Sequence, residues 1–415
     1  MRVLHVISSL DPGAGGPTTA LLGLAAAQAR AGLAVSVLAT HAPGAPTTVI
    51  DALAQAGVPA RTIGPTRGRL QRAEGLAPAV ASAVANADVI HIHALWEEVQ
   101  HQVARAAQRQ SVPYVVRPCG MLDPWSLDRS KWAKRLMLAW RVRKDLNQAA
   151  ALHFTTAAER DLAAPLGLRP AAIVEPNGVD LDEFASLPPP GTFRSQYPQV
   201  GGRLLVLFLS RVHPKKGLDL LTPAFAQVIG CTEPGPDKGN AASTTAGRDA
   251  VLVIAGPDAD GYRAAVEASA RRFGLGDRVV FTGMLQGVDR VAALAEADLF
   301  VLPSYQENFG NSVVESLAAG TPVLISDRVN IQDQITAGGV GGVVPAEVAP
   351  LAEALARWLD DPELRRSAAA KAPAFVRDRY DWNSIARRWI DHYQKLAVPT
   401  RSPSSVAGRS PARTG

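Results

Sequence analysis

Short runs of Val, Ile and Leu without polar alternation recur along this chain, separated by Ala/Leu-rich stretches of helical length. A strand that alternates apolar and polar residues keeps one wet face, whereas an uninterrupted apolar run is buried on both. "RVLHVIS", "AVSVLAT", "DVIHIHA" and "PYVVRPCG" are such runs in the first half. "TTALLGLAAAQARAG", "LAPAVASAVANA" and "EEVQHQVARAAQRQ" read as helices between them. Strand and helix in alternation specify a parallel sheet covered on both faces. The pattern stops at "EPNGVDLDEFASLPPPGTF", where Pro188, Pro189 and Pro190 stiffen a linker. It restarts with "GRLLVLFLSR" and continues through "VLVIAGP", "RVVFTG", "DLFVLPSY" and "TPVLISD". Two open α/β domains with a cleft between them are expected, with chemistry on the loops at the carboxyl ends of the strands.

Length agrees, since 415 residues exceed one ordinary core. Arg401, Arg409 and Arg413 supply three of the net +5 charges, so the folded body is nearly neutral and nucleic-acid binding is not expected. Cys119 and Cys231 fit no metal spacing and suit free thiols in a reducing compartment. The first apolar run stops at Ser8, short of a secretory leader, and no window approaches a membrane span. A cytoplasmic location is expected, with peripheral contact at the inner membrane face as its extension. The stretch from Gly230 to Asp249 reads as an inserted surface loop, and residues 398–415 as a basic disordered tail.

Three loops carry the chemistry. "SSLDPGAGGPTTALL" follows the first strand and runs into a helix. Gly15 and Gly16 would let backbone amides approach an anion, although Thr18 breaks the dinucleotide spacing. A plain Gly/Pro turn explains the stretch equally well. In "LSRVHPKKGLDLL", Arg211 and Lys216 form a clamp suited to a diphosphate, with Lys215 read as their solvated neighbour. "ENFGNSVVE" places Glu307 in a loop and Glu315 one turn inside a helix capped by Asn311 or Ser312. The backbone amides of Phe309 to Val313 would point outward at the helix's positive end, and Asn308, Phe309, Gly310, Asn311 and Ser312 are the donor-binding candidates of this loop. Such a loop can grip a polyol on one side and a ribose on the other. Two D-x-D pairs, Asp258/Asp260 and Asp180/Asp182, read as a helix-capping loop and an interdomain turn. "SLDRSKWAKRLMLAWRVRK" reads as an amphipathic helix packing Trp132, Leu136, Met137 and Trp140 inward, with an anionic membrane surface as the alternative.

These stretches, with "GGPTTALLGLA", "HIHALW", "GMLDPWSL", "EPNGVD", "AGPD", "FTGML" and "AAGTPVL", resemble the retaining glycosyltransferases of family 4, the glycosyl transferases group 1. "GMLDPW" resembles a subset that builds bacterial polysaccharides. The resemblance implies a GT-B fold, two Rossmann-like parallel-sheet domains facing across a cleft. It implies an acceptor domain over 1–180, a nucleotide-sugar domain over 190–380, and a helix over 381–397 crossing back to the first domain. Arg211 and Lys216 would hold the diphosphate of a nucleotide sugar, and Glu307, with the amides of 308–311, the sugar hydroxyls. Glu315 would take the ribose, Met284 and Leu285 would lie near the base, and Gly15 and Gly16 would approach the distal phosphate. The partners implied are a nucleoside-diphosphate sugar and a glycan or lipid-linked acceptor, with no metal and no other cofactor. Relatives often carry His where this chain has Cys119, so His93 becomes the substitute candidate for a catalytic role. A buried structural role explains His93 as well, and His91 is expected on the opposite side of that strand. Sugar-nucleotide epimerases on the same fold and inactive homologues are the rival functions.

Overall fold

A computed structural model describes residues 1–128, 131–231 and 248–397. Most of the expected Gly230–Asp249 insertion, and all of the tail after 397, lie outside the described residues. The first half builds a seven-stranded sheet from β1 (Arg2–Ile7), β2 (Ala34–Thr40), β3 (Ala60–Ile63), β4 (Val89–His93), β5 (Tyr114–Arg117), β6 (Ala151–Phe154) and β7 (Ala171–Val174). Every pairing is parallel, in the order β3-β2-β1-β4-β5-β6-β7. The second half builds a six-stranded sheet from β8 (Leu204–Leu209), β9 (Ala250–Ala255), β10 (Val279–Gly283), β11 (Leu299–Leu302), β12 (Val323–Ser326) and β13 (Gly341–Val344). It too is wholly parallel, in the order β10-β9-β8-β11-β12-β13.

The apolar runs are buried as their composition requires. Leu205, Val206, Leu207 and Phe208 of β8, and Ala250 to Ala255 of β9, lose essentially all contact with solvent. The strand order reverses between β1 and β4 in the first sheet and between β8 and β11 in the second. Helices leave opposite faces at such a reversal, so a crevice opens beyond the carboxyl ends of the two central strands. The glycine loop follows β1, the Arg211–Lys216 loop follows β8, and the Glu307 loop follows β11. Parallel topology thus gathers stretches remote in sequence.

One helix ties the end of the described chain to the first sheet. Trp382–Ala397 buries Trp382, Ile385, Trp389 and Tyr393 against Val3, Leu24, Val89 and Val115. Its approach to the helix Gly16–Arg30 is close enough that a Cβ at Gly23 would stand 2.2 Å from Trp382 Nε1. The residue at that contact can have no side chain.

Candidate active site

Lys216 closes a short 3-10 turn, Pro214–Lys216, and Gly217 starts the helix Leu218–Val228. That turn aims the buried Lys216 Nζ at Glu307 Oε2, and the two form an ion pair. Burial alone would raise the Glu307 carboxyl, but Lys216, Lys215 and Arg211 hold it below the usual carboxylate range. Lys215 is no solvated neighbour. Its ammonium sits 4.9 Å from the centroid of the Trp125 ring, and burial pulls its pKa down to about 8 against the attraction of Glu307. Arg211 is exposed and has no ion-pair partner among the described residues. It lies along the glycine loop, where a Cβ on Gly15 (φ +94°) would come within 3.4 Å of its Nε.

The helix Asn311–Ala318 begins differently from expectation. Gly310, at φ 82°, occupies the cap position, and no side chain caps the helix. Neither Asn311 nor Ser312 is the cap, because the left-handed turn at Gly310 already places Asn311 at the first helical residue. The opening amides therefore have no side-chain acceptor, an arrangement suited to an anion. The helix Gly16–Arg30 also starts without a side-chain cap, from Gly15. Glu315 accepts from Arg290 at 2.6 Å, and Arg290 also grips Glu183 of the turn Leu181–Phe184. Met284, largely exposed, and Leu285 precede the helix Gly287–Glu296 that carries Arg290, which joins them to the Glu315 end of the site.

Side chains cross between the two halves at the Glu307 loop. Gln306 Nε2 donates to Asp123 Oδ2 at 2.8 Å, and Asn308 Nδ2 to Thr155 Oγ1 at 2.9 Å. Thr155 Oγ1 itself donates to Glu159 Oε2, an acceptor-only partner, so its oxygen must face Asn308. Asn308 Oδ1 is buried with no partner among the described residues. Phe309 is buried, its ring edge-on to Tyr380. Asn177 Nδ2 donates to Asn311 Oδ1 at 2.8 Å, and Asn311 Nδ2 to Gly16 O at 3.4 Å. Asp123, Trp125 and Asn177, which meet the candidate loops from the first half, were not singled out, although "GMLDPW" and "EPNGVD" contain them. Thr155 and Lys215 gave no local signal, because partners from the other half define their roles.

His93 ends β4 fully buried. His91 shares its face of the strand, against expectation: residues two apart on a pleat point the same way, and the two rings stack at 4.6 Å. His5 and His153 complete the cluster. Burial, the largest cause, and the nearby Arg117 charge hold all four imidazoles below their ordinary range, His5 at about 4. Neutral rings fix their own tautomers here. Glu175 O accepts from His153 Nε2, so His153 Nδ1 accepts from His91 Nε2, and His91 Nδ1 accepts from Tyr393 Oη. Gln28 donates to Tyr393 and accepts from His5 Nε2, and His5 Nδ1 accepts from His93 Nε2. Only His93 Nδ1 is left without a partner among the described residues of this chain of bonds. His5, His91 and His93 hold nitrogens within 4.8 Å of one another, a spacing a cation could bridge. The stacked rings set their lone pairs side by side rather than converging, and five of the six nitrogens are already bonded, so the trio is a poor metal cage.

Cys119 lies in the left-handed region at φ 55°, its Sγ near Arg117 O at 3.5 Å and its thiol pKa raised by burial. The D-x-D pairs serve local turns: Asp258 accepts from Arg263 N, and Asp180 from Asp182 N. The segment after Trp125 departs from the inward-packing expectation. Trp132, Leu136 and Trp140 are 85%, 62% and 82% exposed, four residues apart on one helical face. Of the four residues expected to face inward only Met137 does, partly buried against the core that Leu138 and Val142 enter.

Residues 191–375 match the family model described as Glycosyl transferases group 1, and residues 15–178 that of a Glycosyl transferase 4-like domain. The chain is 30% identical over 339 residues to a 2-deoxystreptamine glucosyltransferase of Streptomyces kanamyceticus, covering 75% of this chain and 78% of that protein. It is 32% identical over 230 residues to a phosphatidyl-myo-inositol mannosyltransferase of Mycobacterium leprae. That match covers 55% of this chain and only about half, 54%, of the mannosyltransferase. In fold the chain is similar to Anabaena Alr3699/HepE, crystallised with UDP and glucose: TM-score 0.77, 22% identity, 95% of this chain and 100% of that one. With the two parallel sheets, that likeness gives the GT-B fold.

Proposed function

The chain belongs to the glycosyl transferases group 1 family, and from that premise we propose that it moves a hexosyl unit from a nucleoside-diphosphate sugar to a hydroxyl acceptor with retention of configuration. The observation that carries the proposal is the meeting of two uncapped helix starts, at Gly16 and Asn311, with Arg211 and the Lys216–Glu307 pair. Four sources of positive potential around one carboxylate suit a ligand with a diphosphate at one end and hydroxyls at the other. HepE, of the same fold, was crystallised with UDP-glucose, which supports a donor of this class.

In the proposed reaction the anomeric carbon–phosphate oxygen bond breaks and its electron pair leaves with the diphosphate. Arg211, Lys216 and the helix-end amides stabilise that charge, without a metal. The acceptor oxygen bonds to the anomeric carbon on the same face, and its proton passes to a phosphate oxygen. Glu307 and Asn308 Oδ1 accept from sugar hydroxyls, and Glu315, steadied by Arg290, from the ribose. The acceptor is a lipid-linked glycan or polysaccharide precursor. The exposed Trp132–Leu136–Trp140 face, with exposed Arg135 and Lys144 nearby, supports peripheral contact with an anionic membrane. No helix among the described residues is long and apolar enough to cross one.

A thermal-shift screen of UDP, GDP and ADP sugars, followed by product analysis with the best donor, tests the reading. Stabilisation by one donor and sugar transfer to an added acceptor are expected. An isomerised sugar from donor alone would make the chain an epimerase, and binding without turnover an inactive homologue.

A further inference from the structure

We propose that Arg117 is a positioning residue that sets the polarity of an interdomain relay at the donor site. The consequence for nucleotide binding rests on the transferase reading above, while the structural one does not. Arg117 ends β5 at the carboxyl edge of the first sheet and is 2% exposed. Among the described residues it has no carboxylate partner, and its Nε and Nη1 bond to nothing. Its electrostatic neighbours include the four neutral histidines. A buried cation so placed costs stability, and an apolar side chain of like size would cost less. Its presence therefore calls for a role beyond holding the fold.

The bond that Arg117 does make supplies that role. A guanidinium only donates. Arg117 Nη2 donates to Asn177 Oδ1, so the amide nitrogen of Asn177 must face away from it. That nitrogen donates to Asn311 Oδ1, which turns the Asn311 nitrogen toward Gly16 O. One donor-only group thereby fixes two amide orientations in series and joins the first residue of each uncapped helix. Without it, Asn177 is free to rotate by half a turn and set its oxygen against that of Asn311. The two anion-binding helix starts would then lose their shared register.

Arg117→Met, Arg117→Lys and Asn177→Asp test the relay, with three readouts: thermal unfolding, small-angle scattering of the ligand-free chain, and affinity for UDP, GDP or ADP. Arg117→Met is expected to hold or raise Tm, to enlarge the radius of gyration, and to weaken binding of the preferred nucleotide about tenfold or more. Arg117→Lys still donates to Asn177 and should stay within about threefold of the parent. Asn177→Asp accepts from Arg117 but cannot donate to Asn311, so it should gain Tm yet open and bind weakly like Arg117→Met. Lower Tm in Arg117→Met with unchanged scattering and affinity would mark Arg117 as an ordinary structural residue and overturn the proposal. So would an Asn177→Asp variant that scatters and binds as the parent does. If the parent binds none of the nucleotides, the transferase reading fails, and scattering alone decides the relay.

Discussion

Lys216 and Glu307 satisfy each other across 91 positions of sequence, and each is mostly buried while doing so. Removing either strands the other, a loss of about 3–5 kcal/mol for a fully buried pair. If the pair also grips the donor, Lys216→Ala and Glu307→Gln should each lower kcat/KM by about 10²–10³-fold in a donor-turnover assay. Lys215 gives the site a pH dependence. Its pKa is lowered to about 8, so its charge is present below that pH and lost as pH rises through it. The pH profile of kcat/KM should therefore fall above about pH 8, and Lys215→Arg, which stays charged, should remove that limb. Lys216 and Glu307 were legible because each sits in a loop after an unmistakable buried strand. Lys215 was not, because the Trp125 ring that shields it comes from the other half of the molecule.

Among elements, the buried strands were readable and the marginal ones were not. β3 and β7 lie at the edges of the first sheet and β13 at one edge of the second, and none carries a long apolar run. "ALHF" of β6 is buried but only four residues long, inside an Ala-rich stretch that resembles a helix. The segment around Trp132 shows a different limit. Its period was visible, but periodicity does not say which face points inward. The outward face makes a prediction of its own. Flotation with anionic liposomes at low salt should recover the chain, and the Trp132→Ser/Trp140→Ser double variant should lose most of that binding while keeping its Tm. Absence of binding by the parent would end the membrane reading.

For the whole molecule, two sheets and a cleft followed from the repeated alternation and the proline-rich break. How the helix Trp382–Ala397 returns to the first sheet depends on packing that composition does not encode. The closing helix supplies Tyr393 to the histidine chain, and its Trp389 fills the same core. Trp389→Ala should cost about 3–5 kcal/mol by denaturant unfolding. The buried neutral histidines add a pH term. Their folded pKa values lie below the unfolded value, so their contribution is complete above about pH 6.5 and is lost as pH falls toward that of His5, about 4. Stability should therefore be lower at about pH 5.5 than at about pH 7.5, because the unfolded imidazoles take up protons that the buried rings do not. Urea unfolding at the two pH values checks this, and equal stabilities would contradict it.

The proposed transfer needs Arg211, Lys216 and two uncapped helix starts to form a seat for a nucleoside diphosphate. Isothermal titration of UDP, GDP and ADP into the parent chain and into Lys216→Ala measures it most directly. One of the three is expected to bind the parent, and Lys216→Ala to bind it at least about tenfold more weakly. No binding by the parent, or equal binding by both, would contradict it.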